Sequence, residues 1–181
     1  MMKKGFTLIE LLIYFGLVAA ILTAMVLITL DIILGNVKSS VEQEVLENIR
    51  YASYRIQFEI RNADSIDGSS SSFGINLATD SNKKVSFSAP APYDPLEFRV
   101  KEGGKLQIRS LGEIEEGEED DDLEWKSLTS SSVEVTNLTF TNLSDGSSES
   151  IRFVLIIKYK NPTGVSQWEK EITFEGGAQL R

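Results

Sequence analysis

The chain has 181 residues, with 18 Lys+Arg against 27 Asp+Glu, a formal charge of -9, and neither Cys nor His. That composition excludes a disulfide framework, a thiolate nucleophile, a Cys/His zinc site and a histidine general base. The 41% hydrophobic content conceals an uneven distribution. Residues 6–34 hold 23 apolar side chains in 29 positions. Beyond Gly35 the apolar share falls to roughly one third, on the low side for a packed domain.

Taken in chain order, the first element is a basic pair, Lys3-Lys4, followed by Gly5 and an apolar run. Leu11–Leu30 contains no charge over 20 residues. As a helix it would be about 30 Å long, the thickness of a bilayer core. Lys3 and Lys4 precede it, and the first basic residue beyond is Lys38, so the N-terminus is expected to stay cytoplasmic and the bulk of the chain to face the other side. A cleaved secretory signal would have a shorter apolar region and an A-x-A site, and neither is present. A plain single-span anchor fits the length but leaves Glu10 unexplained. A carboxylate in hydrocarbon costs about 2.5–3.5 kcal/mol on insertion scales.

The stretch Lys3-Lys4-Gly5-Phe6-Thr7-Leu8-Ile9-Glu10-Leu11-Leu12-Ile13 resembles the processing signal of type IV pilins and type II secretion pseudopilins. The resemblance proper covers about the first 35 residues. It implies that a membrane-embedded prepilin peptidase cuts after Gly5 and that Phe6 is then N-methylated. It also implies that Glu10 serves assembly, pairing with the Phe6 ammonium of its own or a neighbouring subunit inside the filament. A buried charge is tolerated only when paired, and breaking half of such a pair costs about 3–5 kcal/mol. Loss of residues 1–5 would take the charge from -9 to -11, since Lys3 and Lys4 go with them.

Beyond the apolar run, Val37, Val41, Val45, Ile49, Ala52, Ile56, Ile60 and Ala63 recur at spacings of 4, 4, 4, 3, 4, 4 and 3. This is a helical apolar stripe. Lys38, Glu42, Glu44, Glu47, Asn48, Arg55 and Glu59 fill the other faces, and no Pro interrupts residues 6–62. One helix over 6–62 is predicted, apolar all round to about residue 35 and amphipathic over 36–63.

Residues 64–72 read as a loop. Strands are predicted at 73–78, 84–89, 96–101, 105–109, 123–128, 132–141, 150–160 and 167–174, with Gly103-Gly104 closing a hairpin. The alternation over 132–141 is imperfect, as though that strand were covered on both faces. The expected class is α+β, with the amphipathic half-helix packed on an antiparallel β-rich domain over 64–181. That is also the pilin plan, and several loose motifs, among them Ile49-Arg50-Tyr51-Ala52 and Val135-Thr136-Asn137-Leu138-Thr139-Phe140, resemble the minor subunits termed J in type II secretion and W in type IV pili. Major pilins often carry a helix-kinking Pro where this chain has Leu27. Tip subunits of that family often lack the acid present here as Glu10, so the resemblance implies a position below another subunit.

Glu113 to Glu124 puts nine acids in twelve residues. A solvated, self-repelling loop is the plain reading. A calcium cage would draw on Glu118, Asp120 and Asp122, although no EF-hand spacing is present. A docking surface for a basic partner is the third. Asn137-Leu-Thr139 and Asn142-Leu-Ser144 match glycosylation acceptors by composition alone. Trp125 and Trp168 read as core or strand-edge residues. Lys83-Lys84 and Lys158/Lys160 are the basic clusters outside the leader, too few against the net charge to expect nucleic-acid binding.

The expected function is therefore a non-enzymatic minor pilin or pseudopilin without cofactors. Its expected partners are prepilin peptidase, other pilin subunits, the inner-membrane assembly platform and the membrane itself. It would begin as a single-pass protein of the cytoplasmic membrane and end in an extracytoplasmic filament. The alternative is a membrane-tethered extracytoplasmic binding domain that does not polymerise.

Overall fold

The computed structural model describes residues 7–90, 94–110, 125–145, 148–161, 164 and 168–180. Helix α1 is a single element, Leu8–Asn62, of 55 residues. The chain divides into two compact units, Met1–Ser40 and Val41–Arg181. Within the first, the described apolar side chains lie open, as an all-apolar helix with no protein partner must leave them. Thr23 and Thr29 donate their hydroxyls to the carbonyls of Ala19 (2.9 Å) and Met25 (2.8 Å), so neither polar group depends on water.

In the second unit the helix buries Val41, Val45, Ile49, Ala52, Ile56 and Ile60, followed by Ala63 just past its end. The stripe read from the sequence is thus the packed face, except that Val37 stays partly exposed. At the helix end, the Ala63 amide donates to Glu59 and the Asp64 amide to Ser88 (2.8 Å), which hands the chain to the first sheet.

The β-rich part is antiparallel and forms two sheets. The first holds β1 (Ser65–Asp67), β2 (Lys84–Ser88), β3 (Leu96–Lys101), β4 (Lys105–Arg109) and β5 (Trp125–Ser127), in that order. The second holds β6 (Val133–Asn142), β7 (Ser150–Tyr159) and β8 (Glu171–Gln179). Phe98 and Phe87 from the first sheet meet Phe140 of the second at centroid distances of 5.9 and 6.4 Å. Phe153 and Phe174 extend the series at 5.9 and 5.8 Å. Such pairs contribute about 0.5–1.5 kcal/mol each beyond their burial.

The structure departs from the sequence expectation at three places. The predicted loop over 64–72 contains the short β1. The predicted strand over 73–78 is replaced by one isolated bridge, Asn76 to Thr139, and a 3-10 turn at Leu77–Thr79. The predicted last strand, 167–174, instead runs Glu171–Gln179, through Gly176-Gly177. Residues 123 and 124, at the start of another predicted strand, lie outside the described residues.

The imperfect alternation in β6 has a local cause. A bulge between Val135 and Asn137 moves the inward positions from Val133 and Val135 to Leu138 and Phe140. Asn76 repairs the gap. Its Nδ2 donates to the Thr136 carbonyl (3.1 Å), and its Oδ1 accepts from the Leu138 amide (3.0 Å) and the Ala78 amide (2.9 Å).

The β3–β4 hairpin also docks on β6. The Gly104 carbonyl accepts from the Val135 amide at 2.8 Å. Gly104 has φ +72°, and an added Cβ would lie 2.6 Å from Glu134 Cβ and 3.0 Å from the Val135 nitrogen. Both the dihedral and the backbone contact oppose a side chain there. Gly104→Ala is expected to destabilise the protein by about 2–3 kcal/mol, whereas Gly103→Ala, with open space around it, should cost about 1 kcal/mol; urea unfolding of the two variants in detergent measures the difference.

Candidate functional site

Lys3, Lys4, Gly5 and Phe6 lie outside the described residues, as do Glu118, Asp120 and Asp122 of the acidic run. The described part of the processing motif begins at Thr7, immediately before α1. Thr7 Oγ1 accepts from the Glu10 amide at 3.3 Å, and the Thr7 carbonyl accepts from the Leu11 amide at 3.2 Å. Thr7-x-x-Glu10 is therefore an N-cap with an acid at the third helical position. The first turn of a helix has unpaired amides and a partial positive charge, so an acid is tolerated better there than farther along the same apolar run.

Glu10 is half-buried among exposed neighbours. The apolar helix that follows is long and apolar enough to cross a membrane.

A second apolar surface lies beyond the membrane-length run. Tyr51, Tyr54 and Phe58 are 52%, 66% and 44% exposed, and the Tyr54 and Phe58 rings stack at 6.2 Å. Spacings of three and four put them on one side of α1, away from the buried stripe. Their spacing is legible in the sequence, but the longer apolar stripe on the opposite face is the stronger periodic signal.

The polar residues that seat the helix on the sheets were not singled out by sequence. Glu44 Oε1 accepts from Ser130 Oγ (2.7 Å), Ser132 Oγ (3.0 Å) and Asn48 Nδ2 (3.1 Å). Asn48 Oδ1 accepts from the Ser130 amide at 2.8 Å. Asn48, read from sequence as part of a solvated face, is buried because it caps this loop. Lys170 pairs with Glu42 at 2.8 Å on the exposed rim, where ion pairs contribute little.

Glu97 is buried on the outward side of β3 and pairs with Lys84, with Arg109 at 3.9 Å. Trp125 is a strand-edge residue, with the Arg99 guanidinium 3.9 Å above its ring centroid. A cleft of about 600 Å3 near the β7–β8 turn mixes Glu134 and Glu169 with Lys158 and Lys160. Among the described residues no group of three or more acids could hold a metal ion.

No protein family, curated protein or solved structure matches this chain.

The serine hydroxyls lower the proton affinity of Glu44 below the ordinary glutamate value of 4.5, with Asn48 adding to them and burial opposing. A lowered folded-state pKa means the contribution is present above 4.5 and is lost as the pH falls through and below that value. Glu44→Gln should therefore be less stable by about 1 kcal/mol at pH 7, and the gap should close as the pH is taken below 4.5; urea midpoints of both proteins across that range provide the check.

Proposed function

We propose that this chain is a minor pilin or pseudopilin: a structural subunit with the pilin fold, cut after Gly5 by prepilin peptidase, methylated at Phe6 and built into a filament through α1. The observation that carries the reading is the run Lys3-Lys4-Gly5-Phe6-Thr7-Leu8-Ile9-Glu10 leading directly into one helix, Leu8–Asn62, open over its apolar part and packed over its amphipathic part.

The physical case runs from Glu10 outward. In the membrane, Lys3 and Lys4 hold the leader on the cytoplasmic side. Gly5 lets the backbone enter a protease site in an extended form. After the cut, Phe6 carries a new amine one residue before the Thr7 cap. A methylated ammonium there is a fitting partner for the Glu10 carboxylate of the same or an adjacent subunit. Filament entry exchanges lipid for neighbouring helices around Leu11–Leu30. Because lipid is as apolar as these side chains, packing alone gives little preference for one register, and the charge pair supplies it. Tyr51, Tyr54 and Phe58 extend the adhesive surface past the lipid, where burying each aromatic ring is worth about 1.5–3 kcal/mol.

Mass analysis of the N-terminus of the chain expressed with its prepilin peptidase tests the processing step. The expected product starts at N-methyl-Phe6; an intact leader would instead favour the tethered binding domain. Glu10→Gln should be cut normally yet fall at least about tenfold in purified filaments, as loss of one partner of a buried pair implies. Normal incorporation of Glu10→Gln would reject the register role. Replacing Tyr51, Tyr54 and Phe58 together by Ser should lower filament content while leaving the melting temperature of the subunit within about 2 °C of the wild type.

A further inference from the structure

The two edges of the three-stranded sheet are treated differently. β6 is closed by Gly104, by Asn76 and by Gly74, whose amide donates to the Phe140 carbonyl at 2.8 Å. β8 is the other edge, and among the described residues no strand pairs with its outer side.

The register tells which of its backbone groups are turned outward. The Tyr159 amide donates to the Lys170 carbonyl, and the Leu180 amide to the Glu149 carbonyl, both at 2.9 Å. Both bonds follow the β7–β8 register that pairs Lys158 with Glu171 and Ser150 with Gln179. In an antiparallel pair the hydrogen-bonded positions recur at every second residue. Lys170, Ile172, Phe174, Gly176, Ala178 and Leu180 therefore direct their N–H and C=O toward β7. Glu171, Thr173, Glu175, Gly177 and Gln179 direct theirs to the open edge, and these five residues are exposed.

Open edges of this length are usually guarded by charged side chains, Lys above all, or by Pro, a bulge or a covering loop. Glu171–Gln179 contains neither Pro nor a basic residue, and its pairing with β7 has no bulge. Its outward side chains include Glu171 and Glu175, the latter held at 2.6 Å by Arg152 on the β7 side. On the inward side, Ile172 and Phe174 are only half-buried against the core. A strand added here would meet acids on one face and apolar side chains on the other.

We propose that the β8 edge is a strand-addition site for an extended segment of another polypeptide in which basic and apolar residues alternate. Main-chain bonds to Glu171, Thr173, Glu175 and Gly177 would give affinity, and the two faces would give specificity. A second copy of β8 is a poorer occupant. Antiparallel pairing centred on Thr173 sets Glu171 opposite Glu175, and pairing centred on Glu175 sets that carboxylate against itself, and like charges directly opposite are destabilising.

The test uses the full chain in neutral detergent. The probe is a fluorescent peptide of about six residues alternating Lys and Val, blocked at both ends, in the length range of a single strand. Anisotropy titration should show saturable binding at least about tenfold tighter than that of the matching Glu/Val peptide, the equivalent of about 1.4 kcal/mol. Amide exchange followed by NMR should slow at Thr173, Glu175 and Gly177 on peptide addition, while Ile172, Phe174 and Gly176, already bonded to β7, change little. Thr173→Pro removes one outward donor and leaves the β7 ladder intact, so it should abolish binding without loss of the sheet's circular dichroism. Glu171→Lys, a surface change that tests the same point should Thr173→Pro fail to fold, should reverse the preference toward the Glu/Val peptide. Equal affinity for the two peptides, protection at the inward-bonded amides instead, or outer-edge protection that rises with protein concentration in the absence of peptide would each overturn the proposal.

Discussion

One apolar stripe on α1 governs how the second unit is built. From Val41 to Ala63 the helix offers an apolar residue at every third or fourth position, and a helix of that kind persists in water only if the stripe is covered. Both sheets contribute to the cover. The phenylalanines are the link: Phe87 and Phe98 come from one sheet, Phe140 and Phe153 from the other, and all four are fully buried. The remaining contacts of the β-rich part follow from bringing two separate sheets to one helix face. The Gly104 and Asn76 contacts join the first sheet and its connecting segment to β6, and the Glu44–Ser130–Ser132–Asn48 group fixes the helix to the loop that leads into β6.

The same helix meets the opposite requirement over its first part, where the side chains of Leu11–Leu30 are exposed among the described residues. A surface so apolar needs lipid or other helices. In the proposed filament subunit these two environments succeed one another, which explains why the polar groups of this stretch are self-sufficient. Thr23 and Thr29 bond within their own helix, and Glu10 sits at the capped end, where unpaired amides and the helix dipole favour an acid. The acid is thus placed in the helix's first turn, where it costs less than it would farther along the apolar run.

The fold was readable in the sequence wherever a period repeats many times. The stripe from Val41 to Ala63, the hairpin at Gly103-Gly104 and the long strands β6 and β7 stand close to where periodicity and turn residues put them. The misreadings are local and share a cause. Residues 73–78 have strand-forming side chains, but Asn76 is drawn into repairing a bulge about sixty residues away, which a single sequence cannot show. The last strand was expected over 167–174, whereas β8 runs Glu171–Gln179. It passes through Gly176, where an added Cβ would lie 2.6 Å from the Phe174 ring and 2.7 Å from Gln57 Nε2, so that a neighbouring side chain would have to shift to admit it.

For the site, the division is similar. The sequence by itself determined the processing resemblance, the membrane-length run and the Glu10 just before it, because these depend only on the order of residues that are neighbours in the chain. It also determined the α+β order of elements, through periods of 3.6 and 2. Only the tertiary structure decided that the strands form two sheets, that Asn48 and Glu44 leave the solvated face to hold a serine loop, and that β6 is closed while no described strand pairs with the outer side of β8. Those outcomes depend on pairings between residues far apart in the chain. Such pairings are set by which polar groups remain unsatisfied once the apolar stripe is covered, and that becomes defined only when the chain has folded.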